Sequence, residues 1–333
     1  MKLEISNITQ PISSDLQDFE ALYRKTLSAD YDVLNEVLRY IGSKDGKRLR
    51  PILVLLAARL CQSVSDKSIQ TAVAMEILHT ASLVHDDVVD ASPLRRGQES
   101  VNARWNNKVA VLVGDYLFAQ VLQLMSEIRN TRILAILSSM AQGLVQGELM
   151  QLHAKQSMWI TEAQYMDIIA HKTAYLFAAC AEAGAVSACA SPKQISALRD
   201  FGFYLGLCFQ MKDDLIDYSD NDLVGKPTMS DIADGKVTLP LIAALSRAPQ
   251  HEADDLKAAI EEALQSEIKN QKSEIINLQS LTSFVLRYDG VGYAMQRIRE
   301  QRDKAEQALS SFRDSTTKSA LLNLLHYSIS RLY

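Results

Sequence analysis

Two acidic clusters of identical spacing dominate the chemistry available to this chain. Asp86, Asp87 and Asp90 lie in "LVHDDVVD", and Asp213, Asp214 and Asp217 lie in "FQMKDDLIDY", the same D-D-x-x-D pattern 127 residues later (213 minus 86). Both interrupt apolar sequence with helical spacing. On a helix, residues i and i+4 share a face and i+1 lies about 100° round from i. Each cluster therefore presents its first and third aspartates together, with the second beside them. A carboxylate withdrawn from water must be paired or bound to a metal. Hard cations such as Mg²⁺ take oxygen ligands, typically a carboxylate or two supplemented by water and substrate phosphates. Two facing triads would hold several such ions with a diphosphate between them. One copy alone reads equally well as a solvated helix end; two copies, both inside apolar sequence, favour the metal reading.

A diphosphate on those metals calls for further cations. Arg95 and Arg96 follow the first triad after Pro93, and Lys226 and Lys236 flank "GKPTMSDIADGK" beyond the second. Lys47 and Arg50 lie in "GSKDGKRLRP", and Lys172 precedes Thr173 in "HKTA". Arg offers phosphate a planar fork and Lys a point charge. Most such residues on any protein are solvated surface charge, so their weight comes from the triads. "GSKDGKRL" is not a nucleotide P-loop: the gap between Gly42 and Gly46 is one residue short, and Arg48 stands where Ser or Thr is needed.

Long helices must position these groups. The chain has 333 residues with 13 Gly and 7 Pro, about 4% and 2% against a typical 7% and 5% or so. Few breakers mean few turns. Apolar periodicity predicts helices over residues 15–42, 51–61, 66–89, 107–129, 131–153 and 162–189, the last opened by a Thr161-x-x-Gln164 capping signal. Another runs from Pro192 through the second triad, followed by a loop over 219–237 and further helices from Leu239, with a break near Gly290. No run alternates as a strand would. The expectation is one all-α domain over residues 1–333.

The formal charge of −5 argues against nucleic acid as a partner, since phosphate backbones are bound by basic faces. Four scattered cysteines (Cys61, Cys180, Cys189 and Cys208) form no C-x-x-C pair, which suits a reducing cytoplasm and neither a disulfide framework nor a zinc site. No signal peptide is visible, and the apolar stretches 109–125 and 173–190, interrupted by Asp115 and Glu182, read as too short or too polar to span a bilayer. No G-x-S-x-G, Cys–His pair or Gly-rich dinucleotide loop competes as a site.

The motifs "DGKRLRP", "EILHTASLVHDDVVD", "LRRG", "HKTA", "FQMKDDLIDY", "GKP" and "DGKVTLP" occur in an order that resembles trans-polyprenyl diphosphate synthases, closest to the bacterial long-chain, octaprenyl-type branch. The resemblance covers nearly the whole chain from about residue 20. It implies a helical isoprenoid-synthase bundle around a central active-site cavity. It implies three Mg²⁺ ions on the allylic diphosphate, held by Asp86, Asp87, Asp90, Asp213, Asp214 and Asp217. Arg95, Lys172, Thr173, Gln210 and Lys236 would contact that diphosphate, with Lys226 close by. Lys47, Arg50, His79 and Arg96 would hold isopentenyl diphosphate; His79 stands seven residues before Asp86, two turns along one helix. Three positions depart from the family pattern: Asp45 for Gly, His171 for Ser or Gly, and Lys212 beside the second triad. At i−1, Lys212 should point off the triad's face.

The implied chemistry is ionisation of the allylic C–O bond, with charge on the leaving diphosphate stabilised by Mg²⁺ and cationic side chains. The carbocation is kept from water by apolar helices. The alkene of isopentenyl diphosphate attacks, a proton is lost to the released diphosphate, and the chain grows by five carbons. Ala81 and Ser82 lie at i−5 and i−4 from Asp86, about one turn or 5.4 Å along the helix, and their small size leaves the path open for a growing chain. The resemblance puts the tunnel floor at Leu124 and Leu137, which implies a product of about C40, as for a quinone side chain. Alternatives are a geranylgeranyl synthase, a terpene cyclase of the same fold, and the catalytic subunit of a heteromeric synthase. The expected state is a cytoplasmic homodimer with no transmembrane segment, touching the membrane transiently for product release.

Overall fold

Thr161 opens its helix as its spacing from Gln164 predicts, and Ser65 and Ser191 close the same reciprocal capping box with Ser68 and Gln194. These caps set the starts of the helices that carry the site. The structure is a computed structural model and describes residues 5–43, 46–95, 97–218, 230–268 and 278–330. Asp45, Arg96 and Lys226 fall outside the described residues.

The chain begins with α1 (Ile5–Thr9), α2 (Ser13–Thr26), α3 (Asp32–Gly42), α4 (Leu49–Cys61) and α5 (Asp66–Val89), which ends at the first triad. A two-residue antiparallel ribbon follows, β1 (Leu94–Arg95) with β2 (Gln98–Glu99), then α6 (Val101–Arg104). Next come α7 (Asn107–Ile128), α8 (Thr131–Ser157), α9 (Glu162–Ile169), α10 (Tyr175–Ser187) and α11 (Pro192–Ile216), which ends at the second triad. Beyond it lie α12 (Ser230–Ala233), α13 (Leu239–Arg247), α14 (Gln250–Ile268), α15 (Leu278–Arg287), α16 (Gly290–Ala308) and α17 (Thr316–Ser330).

Apolar side chains from most of these helices merge into one continuous core. Helix α4, apolar all round, sits inside it, packed against α5 and α10. Helix α10 also packs along α11, and α5 packs most extensively on α7. The two helices that end in aspartates are thus both joined to α4 and α10.

The structure corrects the reading in four places. The helix over 15–42 is two helices, because the chain breaks between Thr26 and Asp32, where the Asn35 side chain accepts from the Ala29 backbone N–H. The ribbon at 94–99 is a strand pair too short to show alternation; Gly97 takes φ +75°, which the tight return requires. The helix over 162–189 is interrupted by a π-helical turn, Ala170–Ala174. Lastly, α7 extends beyond the stretch 109–125, and α7 and α8 are both long and apolar enough, by length and composition, to cross a membrane. Each packs one face into the bundle and exposes large apolar side chains on the other, among them Leu112, Leu122, Val145 and Leu149.

Candidate active site

Asp86 and Asp87 lie in the last turn of α5 and Asp90 caps it; Asp213 and Asp214 lie in the last turn of α11 and Asp217 caps it. A helix C-terminus carries partial negative charge and normally attracts Lys, Arg or His. Carboxylates at both ends are opposed by both dipoles and by one another. Such an arrangement calls for cations.

The second aspartate of each motif turns inward. Asp87 is 3% exposed and accepts from the Arg95 guanidinium, Nε at 2.7 Å and Nη2 also. Asp214 is 7% exposed; Tyr165 donates to Oδ2 at 2.6 Å and Gln210 Nε2 to Oδ1 at 2.9 Å. The Thr173 hydroxyl in turn donates to Gln210 Oε1 at 2.7 Å. These bonds order the ends of both helices.

Burial raises the carboxyl of Asp86 to about 6, helped by the charge of Glu148 and opposed by Lys172 and Arg95. Burial raises Asp214 to about 7, reinforced by Asp231 and opposed by its bonds from Tyr165 and Gln210. Asp231 rises to about 6 through burial and the Asp217 carboxylate, against Lys236. The negative charge at the site exceeds what its own side chains balance.

Lys172 and Thr173 stand on the π turn, a distortion that recurs at functional sites. Glycines on both sides make room for it. A Cβ at Gly147 of α8 would lie 2.8 Å from the Lys172 backbone nitrogen, and one at Gly206 of α11 would lie 2.6 Å from the Ala174 Cα. The Lys172 ammonium donates to Glu148 Oε2 at 2.7 Å and to Gln151 Oε1 at 2.9 Å. Beside it opens a cavity of about 140 Å³ lined by Lys155, Lys172, Gln210, Asp214, Asp231 and Lys236, among others. Lys155 also reaches Asp90 Oδ1 at 3.4 Å, so it joins the first triad to this cavity.

On the other side of the first triad, His79, Arg48, Asp87 and Arg95 line a smaller cavity of about 50 Å³. His79 is buried on α5. Lys47 and Arg50 lie on either side of Arg48, the Lys47 ammonium 5.6 Å from the Tyr327 ring and the Arg50 guanidinium 5.4 Å from the Phe177 ring. Lys212 is half-buried. Ala81, Leu124 and Leu137 are buried in the core, on α5, α7 and α8; Ser82 donates its hydroxyl to the His79 carbonyl at 2.9 Å.

Sequence reasoning missed Glu148, Gln151, Lys155, Tyr165 and Asp231. Glu148, Gln151 and Lys155 had a legible signal: spacing of three and four residues along one face of an otherwise apolar helix. Tyr165 had none, since its partner lies 49 residues away.

Hard-cation chemistry fits this donor set. Glu148 Oε1 and Gln151 Nε2 are buried without a hydrogen-bond partner beside Lys172, an acceptor and a donor available to a hydrated ion and to an anion. Among the described residues no group of three or more His, Cys, Asp or Glu encloses an ion by itself.

An all-helical bundle with an aspartate triad at the end of each of two core helices, and lysines between them, defines an isoprenoid synthase. The chain belongs to the polyprenyl synthetase family, whose model matches residues 31–278, and it is a trans-prenyltransferase. It is 35% identical to the octaprenyl diphosphate synthase of Haemophilus influenzae over 332 residues, 99% of this chain and 98% of that one. Among solved structures it resembles a polyprenyl synthase of Caulobacter crescentus complexed with calcium and isoprenyl diphosphate, at TM-score 0.88 and 33% identity, covering 100% and 99% of the two chains. It also resembles a decaprenyl diphosphate synthase of Rhodobacter capsulatus, at TM-score 0.90 and 33% identity, covering 99% and 100%.

Proposed function

We propose that this enzyme adds isopentenyl diphosphate repeatedly to an allylic diphosphate such as farnesyl diphosphate, making an all-trans chain of about C40 for a quinone side chain, a length set by tunnel space. The observation that carries the reading is the pair of aspartate-bearing helix ends joined through Lys155 and Lys172 to one cavity. Small residues at positions 81 and 82 support a long product.

The first and third aspartates of each triad would hold Mg²⁺, three ions in all, with Asp87 and Asp214 completing the sites. Ions held there would neutralise charge on the allylic diphosphate and so favour its departure. Lys172, Lys236, Arg95, Thr173 and Gln210 orient that diphosphate, with Lys226 beside them. Lys47, Arg50, His79 and Arg96 hold the second one, so that its alkene faces the ionising carbon. The apolar walls from α5, α8 and α10 exclude water from the cation.

The two diphosphate sites are separable by kinetics. Lys47→Ala should mainly raise KM for isopentenyl diphosphate, and Lys172→Ala or Lys236→Ala should mainly impair the allylic substrate, each lost charged contact costing roughly 1.5–3 kcal/mol. Equal changes in both Michaelis constants for all variants would refute the partition.

The one continuous core supports a single domain over residues 1–333. Four free cysteines support a cytoplasmic location. The exposed apolar faces of α7 and α8 support a homodimer joined there. Sedimentation equilibrium should give twice the chain mass, and Leu112→Glu combined with Leu149→Glu should give the monomer. A chain that stays monomeric and inactive until a second protein is added would instead be the catalytic subunit of a heteromer.

A further inference from the structure

Between Lys47 and Arg50 stands a residue the reaction does not use. Arg48 precedes α4 with a left-handed backbone, φ +50° and ψ +34°. That conformation is unfavourable for a residue with a side chain and persists only where the surroundings enforce it. Here the guanidinium supplies the restraint. Nη1 donates to Glu76 Oε1 at 3.0 Å and Nε to Glu20 Oε1 at 3.3 Å, and the carbon of the guanidinium lies 4.4 Å from the Tyr23 ring centroid.

The pair is well withdrawn from water, with the Arg48 side chain 16% exposed and that of Glu76 5%. Glu76 Oε2 is buried and has no hydrogen-bond partner. The carboxylate therefore depends on Arg48 for compensation, and removing one member strands the other. Glu76 sits on α5 three residues before His79, close to one turn along the same helix. Both line the small cavity that also touches Asp87 and Arg95. The flanking cations also meet other helices: Lys47 approaches Tyr327 on α17 and Arg50 approaches Phe177 on α10. Arg48 ties this loop directly to the helix that carries His79 and the first triad.

We propose that Arg48, held by Glu76, is a positioning residue of the isopentenyl diphosphate subsite: it fixes the loop over residues 46–50 against α5, so that Lys47, Arg50 and His79 address one diphosphate. This rests on the assignment of that subsite above. Arg48 does not touch substrate; it sets where its neighbours point.

Steady-state kinetics on Arg48→Gln, Glu76→Gln, the double variant and Lys47→Ala tests it, with thermal melts to establish folding. Arg48→Gln should raise KM for isopentenyl diphosphate about tenfold, as for loss of one charged hydrogen bond, and leave KM for the allylic substrate unchanged. Glu76→Gln, which is isosteric, should reproduce the split and answers the question if Arg48→Gln does not fold. The double variant should be no worse than either single one, since the two residues act as a unit. Arg48→Lys should recover part of the loss. Equal changes in both Michaelis constants, or an unchanged value for isopentenyl diphosphate while Lys47→Ala raises it, would overturn the positioning role. An unchanged value in Lys47→Ala would instead remove the subsite assignment beneath it.

Discussion

Asp86→Ala is expected to lower turnover by several orders of magnitude and to leave the helical fold intact. Asp86 shares a face of α5 with Asp90, at i and i+4, and stands at the negative end of the helix dipole. Burial and the Glu148 carboxylate hold its pKa near 6, so its charge is poorly balanced by the side chains around it. An oxygen ligand strained in this way gains most from a cation, and the chemistry depends on stabilising charge on the departing diphosphate. Asp213→Ala should behave alike from the α11 side. Fold loss is not expected, because the apolar core of α5 and α11 lies along their earlier turns. Circular dichroism gives the fold and a coupled phosphate-release assay the turnover. Excess EDTA should abolish activity in the unmodified enzyme; substantial turnover there would remove the metal assignment.

On the tunnel proposed beside α5, Ala81→Phe should shorten the product to about C15–C20 while sparing condensation, since a phenyl ring would fill space that a methyl group leaves. Ala81 is fully buried on α5, and the Ser82 hydroxyl is satisfied by the His79 carbonyl, so both present little bulk and no free donor. Leu137→Ala, at the proposed floor, should lengthen the product. A competing account gives the small residues a packing role, because α5 lies against α7 over much of its length. Overpacking a helix interface lowers stability, typically by 1–3 kcal/mol or so. Mass spectrometry of the product alcohols, read beside the melting temperature, decides between them. A lower Tm with unchanged product length would assign Ala81 to packing and send the chain along another path.

Helix content and the acidic pair were legible because both rest on local rules. Apolar spacing and few breakers give helices, and D-D-x-x-D gives a face. Thr161 and Gln164 form their box within four residues, so the sequence marks it. The break between α2 and α3 had a signal too, in the polar run "SADYD", but helical periodicity on both sides masked it. The π turn at Lys172 had no local signal. It depends on Gly147 and Gly206, on two other helices, leaving room for its backbone. The inward turn of Asp87 and Asp214 was equally hidden, since spacing sets direction round a helix and not which neighbour approaches. Asp231 lay in view within "SDIADGK", but its place beside Asp217 is a tertiary contact, with its backbone N–H donating to Asp217 Oδ2 at 3.0 Å.

Incubating the purified enzyme with farnesyl diphosphate, labelled isopentenyl diphosphate and Mg²⁺, then sizing the dephosphorylated products by chromatography, tests the central claim most directly. The products should be all-trans alcohols rising in five-carbon steps and ending near C40, the limit the proposed tunnel floor would impose. A cyclic hydrocarbon released without isopentenyl incorporation, or a ladder that stops at about C20 with positions 81 and 82 unaltered, would contradict it.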